Sequence, residues 1–270
     1  IAFSNFSFIS NNILTTSPLL RVSAEGLRVY YSSDSKFLDN IINSTRLSAG
    51  ISVDRSSNNI FERNILREIN SSDFIQSPSV GIKINSQSDS QVGNLLNNTF
   101  VSNIISFENT NRRNLTYDGS TVFYPTFDLL LASSSPSNTK FVNQYISKYD
   151  LSSGVSGISF VNLLNIDFTD FGQISFTQGI IGSGNNLSAE IQILNNSALI
   201  NSTINPGLNR SANITFYHMQ GWGLQNPKIL WNGVSCPNPG YCYNFTPLTD
   251  DTVIFNVSGA GLYNITEGVV

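Results

Sequence analysis

One six-residue pattern constrains the fold of this chain more than any other feature, because it returns four times with an Asn at the same place. Ile9-Ser10-Asn11-Asn12-Ile13-Leu14, Phe37-Leu38-Asp39-Asn40-Ile41-Ile42, Phe61-Glu62-Arg63-Asn64-Ile65-Leu66 and Phe100-Val101-Ser102-Asn103-Ile104-Ile105 all read apolar-x-x-Asn-Ile-(Ile/Leu). A second pattern lies between them: Gly26-Leu27-Arg28-Val29, Gly50-Ile51-Ser52-Val53 and Gly81-Ile82-Lys83-Ile84 alternate in apolar residues and run into polar turns. The spacing is 24 residues from Gly26 to Gly50 and from Asn40 to Asn64, then stretches to 31 and 39 where loops intrude. Such a period belongs to stacked units, each burying its apolar row against the next.

Short strands punctuated by Asn and Gly, with no 3.6-residue period, suit a parallel β-helix better than a helical solenoid. Asn12, Asn40, Asn64 and Asn103 are expected to form a corner ladder. Asn tolerates the left-handed conformation of a sharp corner, and stacked amides bond to the coils above and below. Gly is expected to serve the other corner without a side chain. Residues 1–118 therefore read as coils, and on these motifs they resemble the right-handed parallel β-helix repeat proteins, including the group named after a periplasmic copper-handling accessory protein. The resemblance implies fold and not copper handling, since His218 and Met219 are the chain's single His and single Met.

Residues 119–205 read as an irregular β region. Phe141-Val142-Asn143 and Phe160-Val161-Asn162 have the form of degenerate coils, Gln173 to Thr177 and Ala189 to Leu194 read as antiparallel strands, and Ser133-Ser134-Ser135-Pro136-Ser137 is a turn or linker. In residues 206–270, Asn213 to Tyr217 and Thr252 to Val257 alternate like strands and are expected to form a small β-sandwich through the Cys-bearing turn. The run Pro206-Gly207-Leu208-Asn209-Arg210-Ser211-Ala212-Asn213-Ile214-Thr215-Phe216-Tyr217, with Asn226-Pro227-Lys228-Ile229-Leu230 and Gly233-Val234-Ser235-Cys236-Pro237, resembles a small β domain that follows β-helices in archaeal cell-surface proteins. That resemblance implies an archaeal, exported, surface-exposed protein and brings no catalytic residue with it. The expected fold class is all-β: a right-handed parallel β-helix with a C-terminal β-sandwich-like domain.

Only 12% of residues are charged, against roughly a quarter in typical soluble domains. Polarity is carried instead by 35 Asn and 57 Ser plus Thr. A net charge of −4 offers no basic field for a nucleic acid. The scarcity of His and Cys speaks against a transition-metal centre. Asp250-Asp251 reads as a solvated turn, with an oxygen-ligated Ca2+ as the alternative. No apolar run approaches 18 residues, and neither a signal peptide nor a pilin-like helix opens the chain. It therefore reads as a processed or excerpted chain that does not insert into a membrane directly.

Asn-x-Ser/Thr sequons occur at Asn5, Asn43, Asn70, Asn97, Asn114, Asn186, Asn195, Asn201, Asn209, Asn213, Asn244, Asn256 and Asn264. Chance placement gives roughly 7, so the 13 present point to N-linked glycans and an extracellular site. Cys236 and Cys242 enclose Pro-Asn-Pro-Gly-Tyr, a turn whose ends come within disulfide range, the alternative being two buried thiols.

Polysaccharide-active β-helices need clustered carboxylates on neighbouring coils. The repeat register sets Asp54 beside Tyr30 and Asn85, aligns Asp39 with Arg63 and Ser102, and leaves Asp34, Asn58 and Asp89 in Ser-rich turns, so no row carries a carboxylate pair. No Gly-x-Ser-x-Gly occurs, and the sole His lies beside Trp222. Trp222, Trp231, Tyr217, Tyr241 and Tyr243 offer a sugar-stacking surface or, as the reading favoured by alternation, core packing. The expectation is a structural subunit of an extracellular, N-glycosylated cell-surface assembly, either a filament or a surface layer, that needs no cofactor. Copies would join head to tail or by strand addition from Ile1 to Leu14 or Gly261 to Val270. A glycan-binding adhesin is the alternative, and a polysaccharide-active enzyme comes third.

Overall fold

The computed structural model describes residues 7–16, 24–44, 47–67, 79–85, 97–106, 114–117, 120–123, 126–131, 138–155, 157–163, 171–237 and 239–268. The chain is all-β, with short helical turns at Leu187–Glu190, Pro206–Leu208 and Met219–Trp222.

Three parallel sheets carry the repeats. The first runs Phe8–Ser10, Lys36–Leu38, Ile60–Glu62, Thr99–Val101, Lys140–Val142, Ser159–Val161. The second runs Ile13–Thr16, Ile41–Ser44, Ile65–Arg67, Ile104–Ile105, and the third Ala24–Tyr30, Leu47–Asp54, Ser79–Asn85, Thr126–Leu131, Tyr149–Val155. As far as Thr126–Leu131 the chain visits the three in turn and returns each time one strand further along. A hairpin of Asn114–Tyr117 and Ser120–Phe123 is inserted before the fourth strand of the third sheet.

In-register pairing turns the alternation of the sequence into rows. Phe37, Phe61, Phe100, Phe141 and Phe160 are fully buried, with successive ring centroids 4.9, 4.7, 5.5 and 5.7 Å apart. The strand spacing of about 4.8 Å sets that separation, and each buried ring contributes about 2–3 kcal/mol. Leu14, Ile42, Leu66 and Ile105 form the inward row of the second sheet, and Leu27, Ile51, Ile82 and Leu129 that of the third.

Two corner assignments differ from expectation. The left-handed residue is the one before each ladder Asn: Asn11 (φ 57), Asp39 (φ 54), Arg63 (φ 52) and Ser102 (φ 49). Asn12, Asn40, Asn64 and Asn103 keep negative φ, so the repeat requires their side chains and not their backbone freedom. Gly26, Gly50 and Gly81 lie inside third-sheet strands and not at a corner. A Cβ on Gly81 would stand 2.6 Å from Ile105 Cγ2 and 2.9 Å from the Asp128 carbonyl oxygen, so this glycine lets two sheets close on each other.

Parallel order stops at Ser159–Val161. Gly172–Phe176 pairs antiparallel with it, and Ala212–Phe216, Val253–Val257 and Cys242–Asn244 extend the same sheet to ten strands. Ile180–Gly184 closes the third sheet in the same antiparallel sense. A five-stranded antiparallel sheet, ordered Ile191–Leu194, Ser197–Ile200, Gly261–Glu267, Pro227–Trp231, Val234–Ser235, covers the far end. Phe255 of the long sheet meets Tyr263 of the short one, their ring centroids 6.4 Å apart. The buried cluster is continuous from Leu27 to Ile265.

Candidate functional site

The corner amides form a directed chain. Asn40 Oδ1 accepts from the Asn12 backbone N–H at 3.1 Å and from Asn12 Nδ2 at 3.2 Å. Asn64 does the same for Asn40, and Asn103 for Asn64, while Gln144 supplies a fifth rung through its Oε1. Each Nδ2 also donates down to a backbone carbonyl, Asn64 to Phe37 and Asn103 to Phe61, both at 2.9 Å. A corner would otherwise bury unpaired backbone groups, and the amide satisfies a donor and an acceptor at once. Gln144 departs from the Asn pattern of the repeat, and a second ladder runs along the opposite corner: Ser35 N–H to Asn59 Oδ1 at 3.1 Å, and Asn59 N–H to Asn98 Oδ1 at 3.1 Å. Its rungs change residue type from Ser to Asn, so no single letter marks it.

Asp54 and Asp39 lie beside the residues that the register aligned with them, and Arg28 also joins Asp54 to Glu25, which stands 3.4 Å from that guanidinium. Asp54 pairs with Tyr30 on one side and Asn85 on the other. It is buried between Arg28 at 3.6 Å and Arg55 at 3.9 Å; burial pushes its carboxyl up, and the two guanidiniums pull it back down. Arg63 grips Asp39 through two hydrogen bonds, at 2.7 and 2.9 Å, which hold that carboxyl below its usual range. Asp34 receives Asn58 Nδ2 at 3.2 Å, and Asn58 Oδ1 in turn receives Asn97 Nδ2, so Asn97 takes the place expected for Asp89, which lies outside the described residues.

A buried polar group sits where the coils give way to antiparallel strands. Tyr149 donates its hydroxyl proton to Glu190 Oε2 and accepts from Asn205 Nδ2 at 3.0 Å. Burial raises both the Glu190 carboxyl and the Tyr149 phenol. Nearby, Asp128 is pushed up to about 6 by burial, against the pull of the Ser147 N–H donating to it at 2.6 Å. The partners stand 41 and 56 residues from Tyr149 in sequence, too far for a local signature.

At the far end Cys236 and Cys242 are disulfide-bonded, Cα–Cα 5.9 Å. The bridge ties the chain leaving Val234–Ser235 of the short sheet to the edge strand Cys242–Asn244 of the long one, and it fits an oxidising compartment. The aromatic group divides. Trp231 stacks on Tyr241 at 4.2 Å, and both donate to the Ala260 carbonyl. Trp222 is exposed, as are Tyr243 and Phe245, which form an edge-on pair at 5.4 Å. His218 and Asp251, both exposed, lie 3.9 Å apart. Among the described residues no group of three His, Cys, Asp or Glu is assembled for a metal ion, and no helix is long and apolar enough to cross a membrane.

The sequons fall into two environments. Asn195 is exposed in a turn, Asn209 is exposed directly after the helical turn Pro206–Leu208 with its Oδ1 accepting from Ala260 N–H at 2.8 Å, and Asn186 caps a helical turn through its Oδ1, accepting from Ala189 N–H. By contrast, Asn256 Nδ2 donates to Asn213 Oδ1 at 2.9 Å, and Asn244 Nδ2 donates to the Thr246 carbonyl. Asn201 accepts from Thr203 N–H, Asn264 lies in a central strand, and Asn43 Oδ1 is buried with no hydrogen-bond partner. Asn114 opens a hairpin strand, while Asn5 and Asn70 lie outside the described residues. Comparison with protein-family models, with curated proteins and with solved structures finds no match.

Proposed function

We propose that the chain is a structural subunit of an extracellular, N-glycosylated cell-surface assembly, built on a right-handed parallel β-helix that polymerises head to tail. One observation carries this reading: the two ends of the apolar core differ. Ile9 and Leu14 in the first coil are only partly buried, whereas their counterparts Phe37 and Ile42 one coil on are fully buried. Phe8–Ser10, Ile13–Thr16 and Ala24–Tyr30 each end their sheet, so among the described residues three strand edges open on the same side. At the other end Tyr149, Leu151 and Phe160 are fully buried beneath antiparallel strands. A core that ends half-covered, with strand edges around it, is completed most simply by another copy.

Of the two segments expected to exchange a strand, Gly261–Glu267 is paired on both flanks within its own chain, so the open edge belongs to the first coil. Glycans on exposed turns such as that of Asn195 would shield the flanks. The reading assigns no catalytic residue, cofactor or nucleic acid, and its partners are further copies and N-linked glycans. The archaeal cell surface suggested by the closing segment belongs to the same proposal.

The test is Ile9→Lys, which sets a charge at the open end of the core. Native material imaged by electron microscopy is expected to show ordered polymers, and the variant, with its melting temperature within a few degrees, is expected to show none. Polymers unaffected by the variant would refute head-to-tail closure. A glycan-binding adhesin is the second reading, favoured by the exposed pair of Tyr243, in the edge strand Cys242–Asn244, and Phe245 just after it. Glycan-array binding lost on Tyr243→Ala would support it.

A further inference from the structure

The outer face of the second sheet carries a row that the repeat pattern contains and that neither the core nor the corners use. Alternation along each strand sends Leu14, Ile42, Leu66 and Ile105 inward, so Ile13, Ile41, Ile65 and Ile104 stand together on the outside, in register. Ile13 is 68% exposed and Ile104 57%, with Ile41 and Ile65 half-covered between them. A solvated sheet face normally carries polar or charged residues in such a row. Here the same β-branched residue recurs on all four rungs, and exposed Tyr145 follows directly after the fifth ladder amide, Gln144.

The flanking rows indicate what covers it. Asp39 and Arg63 border the stripe at the ladder corner, paired at 2.7 Å and both partly exposed. On the other border the strand register sets Thr15, Asn43 and exposed Arg67 side by side.

We propose that this face binds the same face of a second copy about a two-fold axis lying between the second and third rungs, with the two coil stacks antiparallel. In that arrangement Ile41 lies over Ile65 of the second copy and Ile13 over its Ile104. Asp39 faces the second copy's Arg63, and Arg67 faces its Asn43. Stacking the same faces with coils parallel would instead set Arg63 against the second copy's Arg67, a like-charge contact. Four equal rungs and one opposite-charge pair at the centre make the surface self-complementary under the antiparallel operation. The proposal rests on the self-assembly reading for its choice of partner, but it concerns a lateral contact and not the open first coil.

The test uses the whole chain. Sedimentation velocity of the Ile9→Lys chain, which forms no threads, is expected to show a dimer over a concentration series, and the same chain carrying Ile41→Lys/Ile65→Lys as well a monomer at unchanged melting temperature. Asp39→Arg alone and Arg63→Asp alone are each expected to weaken association about tenfold or more, and a one-to-one mixture of the two to recover it as a heterodimer. Recovery in the mixture separates a true contact from loss of the intrachain pair, because both variants have lost that pair. In polymers, Ile41→Lys/Ile65→Lys is expected to leave single unpaired threads, whereas Ile9→Lys abolishes the threads and leaves the dimer. An Ile9→Lys chain that stays monomeric, or a mixture that fails to recover, overturns the lateral contact whatever becomes of the threads. An N-glycan found on Asn43 by glycopeptide mapping would also overturn it, since the sugar would occupy the same face.

Discussion

The coils and the antiparallel far end solve the same problem, satisfying backbone and burying apolar surface, by different means. In the coils each rung repeats its neighbour: a Phe on a Phe, an amide on an amide, with partners 24 to 41 residues away at the same pattern position. At the far end every solution is single: one disulfide, one Trp231–Tyr241 stack and one Asn196 that bonds the Ile265 backbone through both its Oδ1 and its Nδ2. Repetition spreads stability over equivalent rungs that lean on their neighbours, whereas the far end concentrates it in a few contacts of long sequence separation.

The largest effect should come from breaking one rung. Phe100→Ala removes a fully buried ring from the middle of the row and is expected to cost about 3–5 kcal/mol in denaturant unfolding, with exchange protection lost on the adjacent coils first. Asn64→Ala should follow at about 2–4 kcal/mol, because the Asn40 N–H and the Phe37 carbonyl lose their buried partner. Asn64→Gly should rescue nothing, since the position needs the amide and not backbone freedom. At the far end, Cys236→Ser/Cys242→Ser opens a loop of six-residue separation and is expected to cost about 2 kcal/mol. Exchange should rise around Val234–Ser235 and Cys242–Asn244 while the coils stay protected.

The smallest effect tests the junction between the two regions. Asp128 carries a carboxyl raised by burial to about 6 in the folded chain, above its unfolded value. The folded state therefore holds the proton more tightly, and this contribution is full below the unfolded value and lost as pH rises through about 6. Stability should fall by on the order of 1 kcal/mol over that window, after allowance for the carboxyl's partial solvation. Asp128→Asn keeps the acceptor for Ser147 N–H and should flatten the slope.

The same contrast explains what could be read from the letters. Phe37, Phe61 and Phe100 with Asn40, Asn64 and Asn103 were legible because one residue type returns at one place. The left-handed residue was not, because Asn11, Asp39, Arg63 and Ser102 share a conformation without sharing a side chain. The outward isoleucines stand within Asn-Ile-(Ile/Leu), but two adjacent apolar residues do not themselves show which one faces out, and the strand register decides it. Tyr149, Glu190 and Asn205 meet through tertiary folding alone. The strands near Gln173 and Thr252 were visible by alternation, but their joining to the coil sheet depends on antiparallel pairing that no local pattern encodes.

The most direct measurement is cryo electron microscopy of native, glycosylated material. Ordered polymers in which the first coil, with Ile9, Asn12 and Leu14, is covered by the neighbouring subunit are the predicted result. Dispersed monomers with that coil open to solvent would contradict it.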